Sequence, residues 1–394
     1  MTSIINSLLD SDAYKFSMGN VVFQRFPNAD VEYEFKCRNK GVDLTPYIEE
    51  INSELDSLCS LRFTPNELSY LRSIKYLSSG YVDALEGFRL NRNNIVVGKN
   101  EGELTITIRG NWFQTILFEV PVLAIVNEVY FRNTVSFDSV RVDGTKRLID
   151  KVEILKKSDI PFYLIEFGTR RRFCQKWQNV VMKHLVEASK ENNNFNLVGT
   201  SNVALAHLWD VKPIGTMAHE YLQAMQVFAP LKDFQKYAFE TWMQVYRGNN
   251  GIALSDVVGM NAFFNDFDML FCKAYDGARH DSGDPYIWGD RLIEHYKNNK
   301  VNPITKQAVF SDSLDISKAM ELNRYFNGKI MPSFGIGTNL TADMGVPALN
   351  IVIKMTKCNG LPVAKLSDSP GKEMCKDKEY VVYLKRVFNI KELK

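Results

Sequence analysis

The sequence predicts an α/β fold in which an α/β barrel is joined to a mixed α+β domain. The main observation is a repeat that starts near Pro161: an apolar run, a polar turn and then a helix-like run. This repeat occurs about seven times, as expected for parallel βα units. The second observation is the composition of the 394 residues, of which 45% are hydrophobic and 24% charged. Such a chain can form a large core and two domains.

The residues before Pro161 have the patterns of a mixed α+β domain. Residues 31–37 alternate polar and apolar side chains, which is typical of a half-buried strand. Helices are expected at 46–61 and 65–71. Short antiparallel strands, separated by Asn and Gly, are expected at 88–90, 94–97 and 104–108. The apolar stretch 113–133 predicts a helix that Pro121 bends or whose start it marks.

From Pro161 onward, apolar runs predict the strands of a parallel sheet. The expected strands are 162–167, 195–198, 212–215, 252–254, 270–274, 307–310 and 330–334. The expected helices are 170–189, 201–209, 217–227, 285–299 and 315–327. A barrel and an open doubly wound sheet both fit this order. Polar turns after nearly every strand favour the barrel, because barrel active sites draw on the ends of many strands.

The end of the chain predicts a hairpin and a return to the first domain. Asn359-Gly360 separates the apolar runs 349–355 and 362–366, which is a strong hairpin signal. The last stretch, 378–388, alternates or is helical, and we expect it to pack back on the first domain.

Charge and composition argue against several functional classes. The chain has 48 basic and 46 acidic residues, a net charge of +2, and no basic block that would indicate a nucleic-acid or membrane surface. The six scattered cysteines are expected to be reduced thiols of a cytoplasmic protein. We expect no signal peptide, and no apolar run is expected to be long enough for a membrane span.

Polar turns at the ends of the predicted strands supply a candidate anion site. Three arginines, Arg170, Arg171 and Arg172, follow one strand, and Arg makes forked contacts with carboxylate or phosphate. The turn 199–202 offers Thr200 and Ser201 hydroxyls to an anion, although helix capping would equally explain Ser201.

Three later turns add carboxylates, a histidine and glycines. The turn 276–285 is the densest polar run, and Asp281 or Asp284 could hold Mg²⁺ or sugar hydroxyls, although Asp284 alone is better explained as a helix cap. The turns 311–313 and 335–339 add a carboxylate and a glycine nest that suits phosphate. Together the turns indicate an enzyme for a phosphorylated anionic substrate. The alternative, that they are only caps and loops, stays open.

One histidine lies at a predicted strand-to-helix junction, in the motif GTMAHE. His219 could carry a proton or a phosphoryl group, and it could also cap a helix or fill a gap. The anion-binding turns around it favour the functional interpretation. From the residues alone, a role in carrying a proton and a role in carrying a phosphoryl group both stay open.

The motifs, in their order and spacing, resemble nicotinate phosphoribosyltransferase of the bacterial and yeast type. The resemblance covers LLDSDAYKFSM at 8–18, EFGTRRRF at 166–173, VGTSN at 198–202, PIGTMAHE at 213–220, RHDSGDP at 279–285, VFSDSLD at 309–315, SFGIGTNLT at 333–341, and NIVIKM through VAKLSDSPGK at 350–372. The chain departs from the family at Val257 and Asn261, where Thr and Asp are more usual. No catalytic role is therefore assigned there.

The resemblance implies a fold and a reaction. The fold is an irregular α/β barrel like that of type II phosphoribosyltransferases, at 126–345, beside an α+β domain built from 1–125 and 346–394. The reaction joins nicotinate to phosphoribosyl pyrophosphate in NAD biosynthesis or salvage, and gives nicotinate mononucleotide and pyrophosphate. Coupling to ATP hydrolysis, a Mg²⁺ cofactor, and a cytoplasmic homodimer with shared active sites are also implied.

The resemblance further implies roles for single residues. Phe167 would stack on the pyridine ring, with Tyr14 of the partner subunit on the other face. Arg279, Thr200 and Ser201 would hold the nicotinate carboxylate. Phosphoribosyl pyrophosphate would contact Arg170, Asp281, Ser311, Asp312, Gly335, Gly337 and Thr338. His219 would be the transient phosphohistidine, and Asp281 and Arg279 would also be catalytic. The Mg²⁺ ligands and the roles of Arg171 and Arg172 are left open.

Two other functions also fit the sequence. A quinolinate-type phosphoribosyltransferase would need a cation-rich decarboxylation pocket and no phosphorylatable histidine. A non-catalytic, nucleotide-sensing barrel would keep the pocket without turnover. Nicotinamide-using relatives carry Asp at the position of Ser201, so we expect Ser201 to help select the acid over the amide.

Overall fold

The computed structural model describes residues 3–366 and 374–390, and its strands form two separate sheets. The segment 367–372 of the last matching motif lies outside the described residues. In chain order the strands are β1 (Asp30–Cys37), β2 (Ile95–Asn100), β3 (Glu103–Asn111), β4 (Phe162–Glu166), β5 (Phe195–Thr200), β6 (Lys212–Pro213), β7 (Ile252–Leu254), β8 (Gly277–His280), β9 (Gln307–Phe310), β10 (Met331–Ile336), β11 (Ile351–Cys358) and β12 (Leu361–Pro362).

Helices occupy much of the remaining described chain. In chain order they are α1 (Ala13–Arg25), α2 (Ile48–Ser60), α3 (Pro65–Ser73), α4 (Ser79–Glu86), α5 (Trp112–Thr115), α6 (Glu119–Thr134), α7 (Phe137–Lys156), α8 (Gln175–Glu191), α9 (Val203–Trp209), α10 (His219–Phe228), α11 (Phe234–Tyr246), α12 (Met260–Asp266), α13 (Met269–Ala274), α14 (Pro285–Asn298), α15 (Ile316–Phe326), α16 (Thr338–Thr341) and α17 (Lys378–Val387).

The antiparallel sheet joins the two ends of the chain. Its strand order is β12-β11-β1-β3-β2, and β1 pairs with β11 from Val31↔Cys358 to Cys37↔Ile351. The central strand β1 buries alternate side chains, as its sequence pattern predicts. A domain formed from both chain ends is therefore confirmed. The boundaries expected at 125/126 and 345/346 stay predictions.

The predicted hairpin near the end of the chain is confirmed. Asn359 and Gly360 connect β11 to β12, and their φ angles are 47° and 77°. Positive φ at both central residues is what the tight hairpin turn needs, and Asn and Gly adopt it at low cost. The following helix α17 contacts α10 and α11: the Tyr380 hydroxyl donates to Gln226, and Phe388, just after α17, packs on Phe234.

The parallel sheet curls into a half-barrel. Its strand order is β6-β5-β4-β10-β9-β8-β7, and every neighbouring pair is parallel. No ladder joins β6 to β7 in the part of the chain that the structure describes. The Thr216 hydroxyl donates across that opening to the main-chain oxygen of Ile252 at 3.0 Å. The irregular α/β barrel is thus confirmed, and its polar turns lie together at the carboxyl ends of the strands.

The strand predicted at 270–274 is wrong. These residues belong to the helix α13, because the Asp268 carboxylate caps it by accepting from the main-chain N–H of Leu270 at 2.9 Å. The strand at this place is β8, which starts at Gly277. Arg279 and His280 therefore lie within a strand rather than in the turn after it. The short strand expected at 88–90 is also absent from those residues.

One helical segment is long and apolar enough to cross a membrane, contrary to the expectation from the sequence. The segment Trp112–Thr134 has 23 residues and a mean hydropathy of 1.3, but 78% of its most apolar window is buried inside the protein. It comprises α5 and α6, so burial in the core explains its composition. Pro121 lies in the first turn of α6, where its missing N–H breaks no helical bond, and it marks the helix start as predicted.

Candidate active site

A cavity of about 670 Å³ lies between the carboxyl ends of the parallel strands and the antiparallel sheet. All but one of the predicted site residues line it: Tyr14, Phe167, Arg170, Ser201, His219, Arg279, Asp281, Ser311, Asp312, Gly335, Gly337 and Thr338. The parallel sheet brings them together because the ends of parallel strands meet at one edge. Their individual roles stay predictions.

Thr200 is the predicted site residue that does not line the cavity. Its side chain is fully buried, and its hydroxyl donates to Glu166 Oε2 at 2.5 Å. The Thr200 hydroxyl oxygen also accepts from the main-chain N–H of Asn202 at 3.0 Å. The hydroxyl proton is therefore already used in the hydrogen bond to Glu166. Thr200 stabilises the loop after β4 rather than lining the cavity.

Two glycines let the walls of the cavity come close. A Cβ on Gly335 would lie 2.3 Å from Cδ2 of Phe167, and a Cβ on Gly215 would lie 2.2 Å from the main-chain nitrogen of Tyr14. Both distances are far inside van der Waals contact. Gly335 thus sets the position of the Phe167 ring, and Gly215 sets the start of α1. The structure places the chain's own Tyr14 at this cavity, and a contribution from Tyr14 of the partner subunit stays a prediction.

His219 is the first residue of α10 and contacts two carboxylates. Its Nε2 lies 2.8 Å from Asp256 Oδ1 and 3.6 Å from Asp281 Oδ2. The other oxygen of Asp256 lies 2.7 Å from Lys365 Nζ and accepts from the Ser282 hydroxyl at 2.7 Å. The histidine is therefore oriented by a carboxylate that is itself fixed by a lysine and a serine.

The electrostatics favour a neutral His219 beside an ionised Asp256. Burial, with help from Lys365, lowers the pKa of His219 below its usual value, although Asp256 opposes this. Burial would raise the pKa of Asp256, but His219 and Lys365 hold it well below its usual range. We assign the ring proton to Nε2, since that nitrogen faces the ionised carboxylate. The lone pair of Nδ1 is then left for chemistry.

Two carboxylates of the cavity suit Mg²⁺. Ligand atoms of His219, Asp256 and Asp281 lie within 4.8 Å of one another, but Lys365 already pairs with Asp256. Mg²⁺ prefers oxygen ligands and binds through one or two carboxylates and substrate phosphates. Asp281 and Asp312 both line the cavity and fit that preference. Asp284, the other sequence candidate, caps α14 by accepting from Tyr286 and Ile287 main-chain N–H groups.

Cations crowd the side of the cavity that faces the antiparallel sheet. They are Arg38 after β1, Lys354 in β11, Lys365 and Arg171. Burial, together with repulsion from Lys365 and Arg38, lowers the pKa of Lys354 to about 7. Burial, together with Arg170 and Arg38, lowers the pKa of Arg171 to about 10. Mutual repulsion of this kind is relieved when a polyanion binds.

Three arginines among the described residues carry a buried N–H group without a hydrogen-bond partner. One is Arg172, whose Nε lies away from the cavity, and the other two are Arg38, at Nη2, and Arg279, at Nε. Buried donors of this kind are costly unless a ligand satisfies them. Arg38 and Arg279 line the cavity, so their unused donors point to an anionic ligand.

At the nicotinate end predicted from the sequence, Ser201 contacts a carboxylate. The Ser201 hydroxyl donates to Asp12 Oδ1 at 2.7 Å, and Arg170 Nε lies 3.9 Å from Asp12 Oδ2. Burial raises the pKa of Asp12, while Arg170 and Ser201 oppose that shift. The negative charge of Asp12 therefore has to be balanced by Arg170 before an acid can bind beside it.

The three consecutive arginines have different surroundings. Arg170 is half-buried, and Arg171 also lines the cavity. Arg172 is fully buried and forms a fork with Asp10, with Nη1–Oδ1 at 2.6 Å and Nη2–Oδ2 at 2.7 Å. Arg172 therefore has a structural position, and Arg170 and Arg171 can meet a ligand.

Sequence reasoning missed several residues of the cavity: Asp12, Arg38, Glu119, Glu220, Lys354 and Lys365, together with Asp256 beneath His219. Asp256 lies in the polar turn after β7, and Lys365 lies in a matching motif, so both had a weak signal. Lys354 also lies in a matching motif, NIVIKM, whereas Arg38 follows β1 of the other sheet and no local pattern could place it here.

The two departures from the family pattern lie away from the cavity. Val257 is buried, and its main-chain oxygen accepts from Leu366 N–H at 2.7 Å. Asn261 is exposed, and its Oδ1 accepts from Arg291 at 2.8 Å. Neither residue lines the cavity, so leaving them without catalytic roles agrees with their positions.

Comparison with known proteins gives one consistent family. The N-terminal domain model of the nicotinate phosphoribosyltransferase (NAPRTase) family matches residues 9–127, and the NAPRTase family model matches residues 162–392. The nicotinate phosphoribosyltransferase of Burkholderia mallei is 54% identical over 393 residues, covering 98% of this chain and 97% of the relative. That of Acidovorax sp. is 53% identical over 394 residues, covering 98% and 99%.

Solved structures give the same result. The nicotinate phosphoribosyltransferase from Vibrio cholerae has a TM-score of 0.93 at 38% identity, covering 99% of this chain and 94% of that one. The enzyme from Porphyromonas gingivalis has a TM-score of 0.90 at 32% identity, covering 98% and 100%.

Proposed function

The chain belongs to the nicotinate phosphoribosyltransferase family, and we propose that it couples ATP hydrolysis to its reaction through a transient phosphohistidine at His219. The family reaction uses nicotinate and phosphoribosyl pyrophosphate, in NAD biosynthesis. The observation that carries the proposal is the position of His219, whose Nε2 lies 2.8 Å from Asp256 Oδ1 and which lines a cavity that Arg38, Arg171, Lys354 and Lys365 also line.

The glycosyl transfer needs positioning and charge stabilisation, and it needs no base. The pyridine nitrogen attacks C1 of the ribose, the C1–O bond to pyrophosphate breaks, and its electron pair leaves with the pyrophosphate. The attacking nitrogen carries no proton, so none has to be removed. Arg38, Arg171, Lys354 and Lys365 would stabilise the negative charge that develops on the leaving group.

We infer that Phe167 and Tyr14 hold the pyridine ring and that arginine side chains hold its carboxylate. Arg279 has an unused buried N–H, and Arg170 adds positive charge beside Asp12. Thr200 is better assigned to supporting the loop, because its hydroxyl is bound to Glu166. Ser201 would act together with Asp12, whose carboxylate accepts its proton.

For phosphoribosyl pyrophosphate, we infer contacts along three strand ends. Main-chain N–H groups near Gly335 and Gly337, with the Thr338 hydroxyl, would bind the 5′-phosphate. Asp281, Ser311 and Asp312 would contact the ribose hydroxyls; the Ser311 hydroxyl already donates to Asp281 Oδ1 at 3.0 Å. Mg²⁺, held by Asp281 and Asp312, would neutralise charge on the phosphate groups.

In the proposed reaction with ATP, the two ring nitrogens of His219 have different roles. Nδ1 would attack the γ-phosphorus of ATP, the bond from that phosphorus to the bridging oxygen would break, and ADP would leave. The Nε2–H would keep donating to Asp256, whose charge stabilises the positive phosphoimidazole ring. Water would later break the P–N bond and release phosphate.

On the resemblance, we further propose a homodimer with shared active sites. A cytoplasmic location is supported by six free cysteines, since thiols stay reduced there.

The coupling can be tested by following pyrophosphate release and ATP hydrolysis together. With nicotinate and phosphoribosyl pyrophosphate, we expect pyrophosphate release that ATP stimulates, and ATP hydrolysis that depends on nicotinate. Nicotinamide in place of nicotinate is the control and should give little of either. Pyrophosphate release that ATP does not change would overturn the coupling and would leave the family reaction intact.

The Ser201 hypothesis has its own test. Ser201→Asp would place a second carboxylate beside Asp12, so turnover of nicotinate should fall strongly, and Ser201→Ala should retain more of it. Steady-state rates with the acid and the amide would compare the variants. Equal nicotinate turnover by Ser201→Asp and the wild type would show that Ser201 does not select the acid.

A further inference from the structure

A buried lysine lies between two glutamates at the wall of the cavity. Lys15 in α1 is fully buried, and its Nζ lies 2.6 Å from Glu119 Oε2 and in closer contact with Glu220 Oε2. Glu119 starts α6 and Glu220 lies in the first turn of α10, and both line the cavity. A buried charge of this kind is costly unless it is well paired, so Lys15 ties three helices together at this point.

Each glutamate has a second contact that extends the chain of charges. Glu119 Oε1 lies 3.3 Å from Arg170 Nη1, on the loop that follows β4. Glu220 Oε1 accepts from Trp112 Nε1 at 3.0 Å and from the Tyr33 hydroxyl at 3.1 Å. Glu220 also directly follows His219 in sequence. The contacts form a continuous path, Arg170–Glu119–Lys15–Glu220, and its last residue lines the same cavity as His219.

We propose that Lys15 is a positioning residue that couples the His219 end of the cavity to its Arg170 end through Glu119 and Glu220. This inference rests on the proposed phosphohistidine. A phosphoryl group on His219 adds negative charge to the cavity that Glu220 and Glu119 also line, and this charge would change how strongly each glutamate interacts with Lys15. A changed interaction between Glu119 and Lys15 would in turn alter the strength of the ion pair between Glu119 and Arg170, and Arg170 lines the cavity. Phosphorylation of His219 by ATP would thereby influence Arg170 at the other end of the cavity, although ATP and nicotinate would not touch each other.

The proposal predicts uncoupling rather than simple loss of activity. Lys15→Met removes the shared cation, so ATP should still be hydrolysed but should drive less product. The expected readout is the number of ATP molecules hydrolysed per nicotinate mononucleotide formed, which should rise about threefold to tenfold. Lys15→Arg restores a cation at the same place and should bring the ratio back toward that of the wild type.

Two further variants keep the test decisive. Glu119→Gln retains the shape of the side chain and the Lys15–Glu220 pair, so it breaks the path even if Lys15→Met does not fold. Lys306→Met is the matched control: Lys306 is also buried, and its Nζ donates to the main-chain oxygens of Lys273 and Tyr275, away from the cavity. We expect Glu119→Gln to raise the ratio and Lys306→Met to leave it unchanged.

The outcomes separate this inference from the proposed function. A wild type whose product formation ATP does not stimulate would overturn the phosphohistidine coupling, and this inference with it. A stimulated wild type with an unchanged ratio in folded Lys15→Met and Glu119→Gln would overturn this inference alone. An equal rise in Lys306→Met would also overturn it, because loss of any buried lysine would then explain the effect.

Discussion

Two clusters in this protein each pair a cation with a carboxylate, but only one of the two clusters reaches the cavity. The Arg172 cluster consists of Asp10, Arg172, Gln178, Glu166 and Thr200. Its ion pair is a two-bond fork without access to the cavity, and Gln178 links Arg172 to Glu166 at 3.2 Å on each side. The His219 cluster consists of His219, Asp256, Asp281 and Lys365. Three of its members, His219, Asp281 and Lys365, line the cavity.

This difference in access to the cavity indicates a structural role for the Arg172 cluster and a functional role for the His219 cluster. The Arg172 cluster connects the N-terminal segment to the loops after β4 and β5, since Asp10 also accepts from Asn202 Nδ2 at 2.7 Å. The Asp10–Arg172 ion pair lies inside the protein, whereas His219, Asp281 and Lys365 of the His219 cluster line the cavity. Substitutions in the Arg172 cluster should therefore act on stability, and those in the His219 cluster on activity.

The largest expected effect is on stability. Asp10→Asn leaves Arg172 buried without an ionised partner, so the free energy of unfolding should fall by about 3–5 kcal/mol. Urea denaturation measures it. The control is Asp83→Asn, which breaks the exposed pair with Arg72 (3.1 Å) and should cost at most about 1 kcal/mol. Equal losses in the two variants would remove the distinction between buried and exposed pairs.

The next effect should be on coupling. Asp256→Asn removes the carboxylate that orients His219, so the rate of ATP-coupled product formation should fall about 10- to 100-fold. Its loss of unfolding free energy should be smaller than that of Asp10→Asn. Asp284→Ala is the nearby control: it removes the cap of α14, should cost about 1 kcal/mol, and should leave coupling unchanged. Unchanged coupling in Asp256→Asn would assign the orientation of His219 to other groups.

Strand ends could be predicted from the sequence, but contacts between distant segments could not. Strand–turn–helix repeats located β4, β7 and β9 well, and the matching motifs brought most cavity residues together, because strand ends are local features. The false strand at 270–274 arose because a short apolar run fits a strand and a buried helix equally. The Asp10–Arg172 fork and the approach of Arg38 and Lys354 depend on how distant segments meet, so no local pattern predicts them.

A smaller effect is expected where shape rather than charge defines the site. Gly335→Ala would push the Phe167 ring from its place, so the KM for nicotinate should rise about tenfold, with little change in the unfolding free energy. Gly87→Ala is the control, since a Cβ there meets nothing within 4 Å and its φ is −89°. A KM unchanged by Gly335→Ala would mean that the Phe167 ring does not contact nicotinate.

The smallest effect should be a displacement of the pH profile. Because burial lowers the pKa of His219 below 6.5, the histidine stays neutral at pH 7, and ATP coupling should be lost only as the pH falls below 6.5. Asp256 raises that pKa, so Asp256→Asn should move the acid limb of the residual activity to still lower pH. The pH dependence of ATP hydrolysis, measured for the wild type and for Asp256→Asn, gives the acid limb of each protein. An acid limb centred above pH 6.5 in the wild type would contradict the neutral histidine.

The central claim is that His219 accepts the phosphoryl group of ATP, and direct labelling tests it. The wild type and His219→Asn would each be incubated with ATP labelled at the γ-phosphate, and the label bound to the protein would be measured before and after acid treatment. We predict acid-labile label on the wild type and none on His219→Asn. Equal acid-labile labelling of the two proteins would contradict the account.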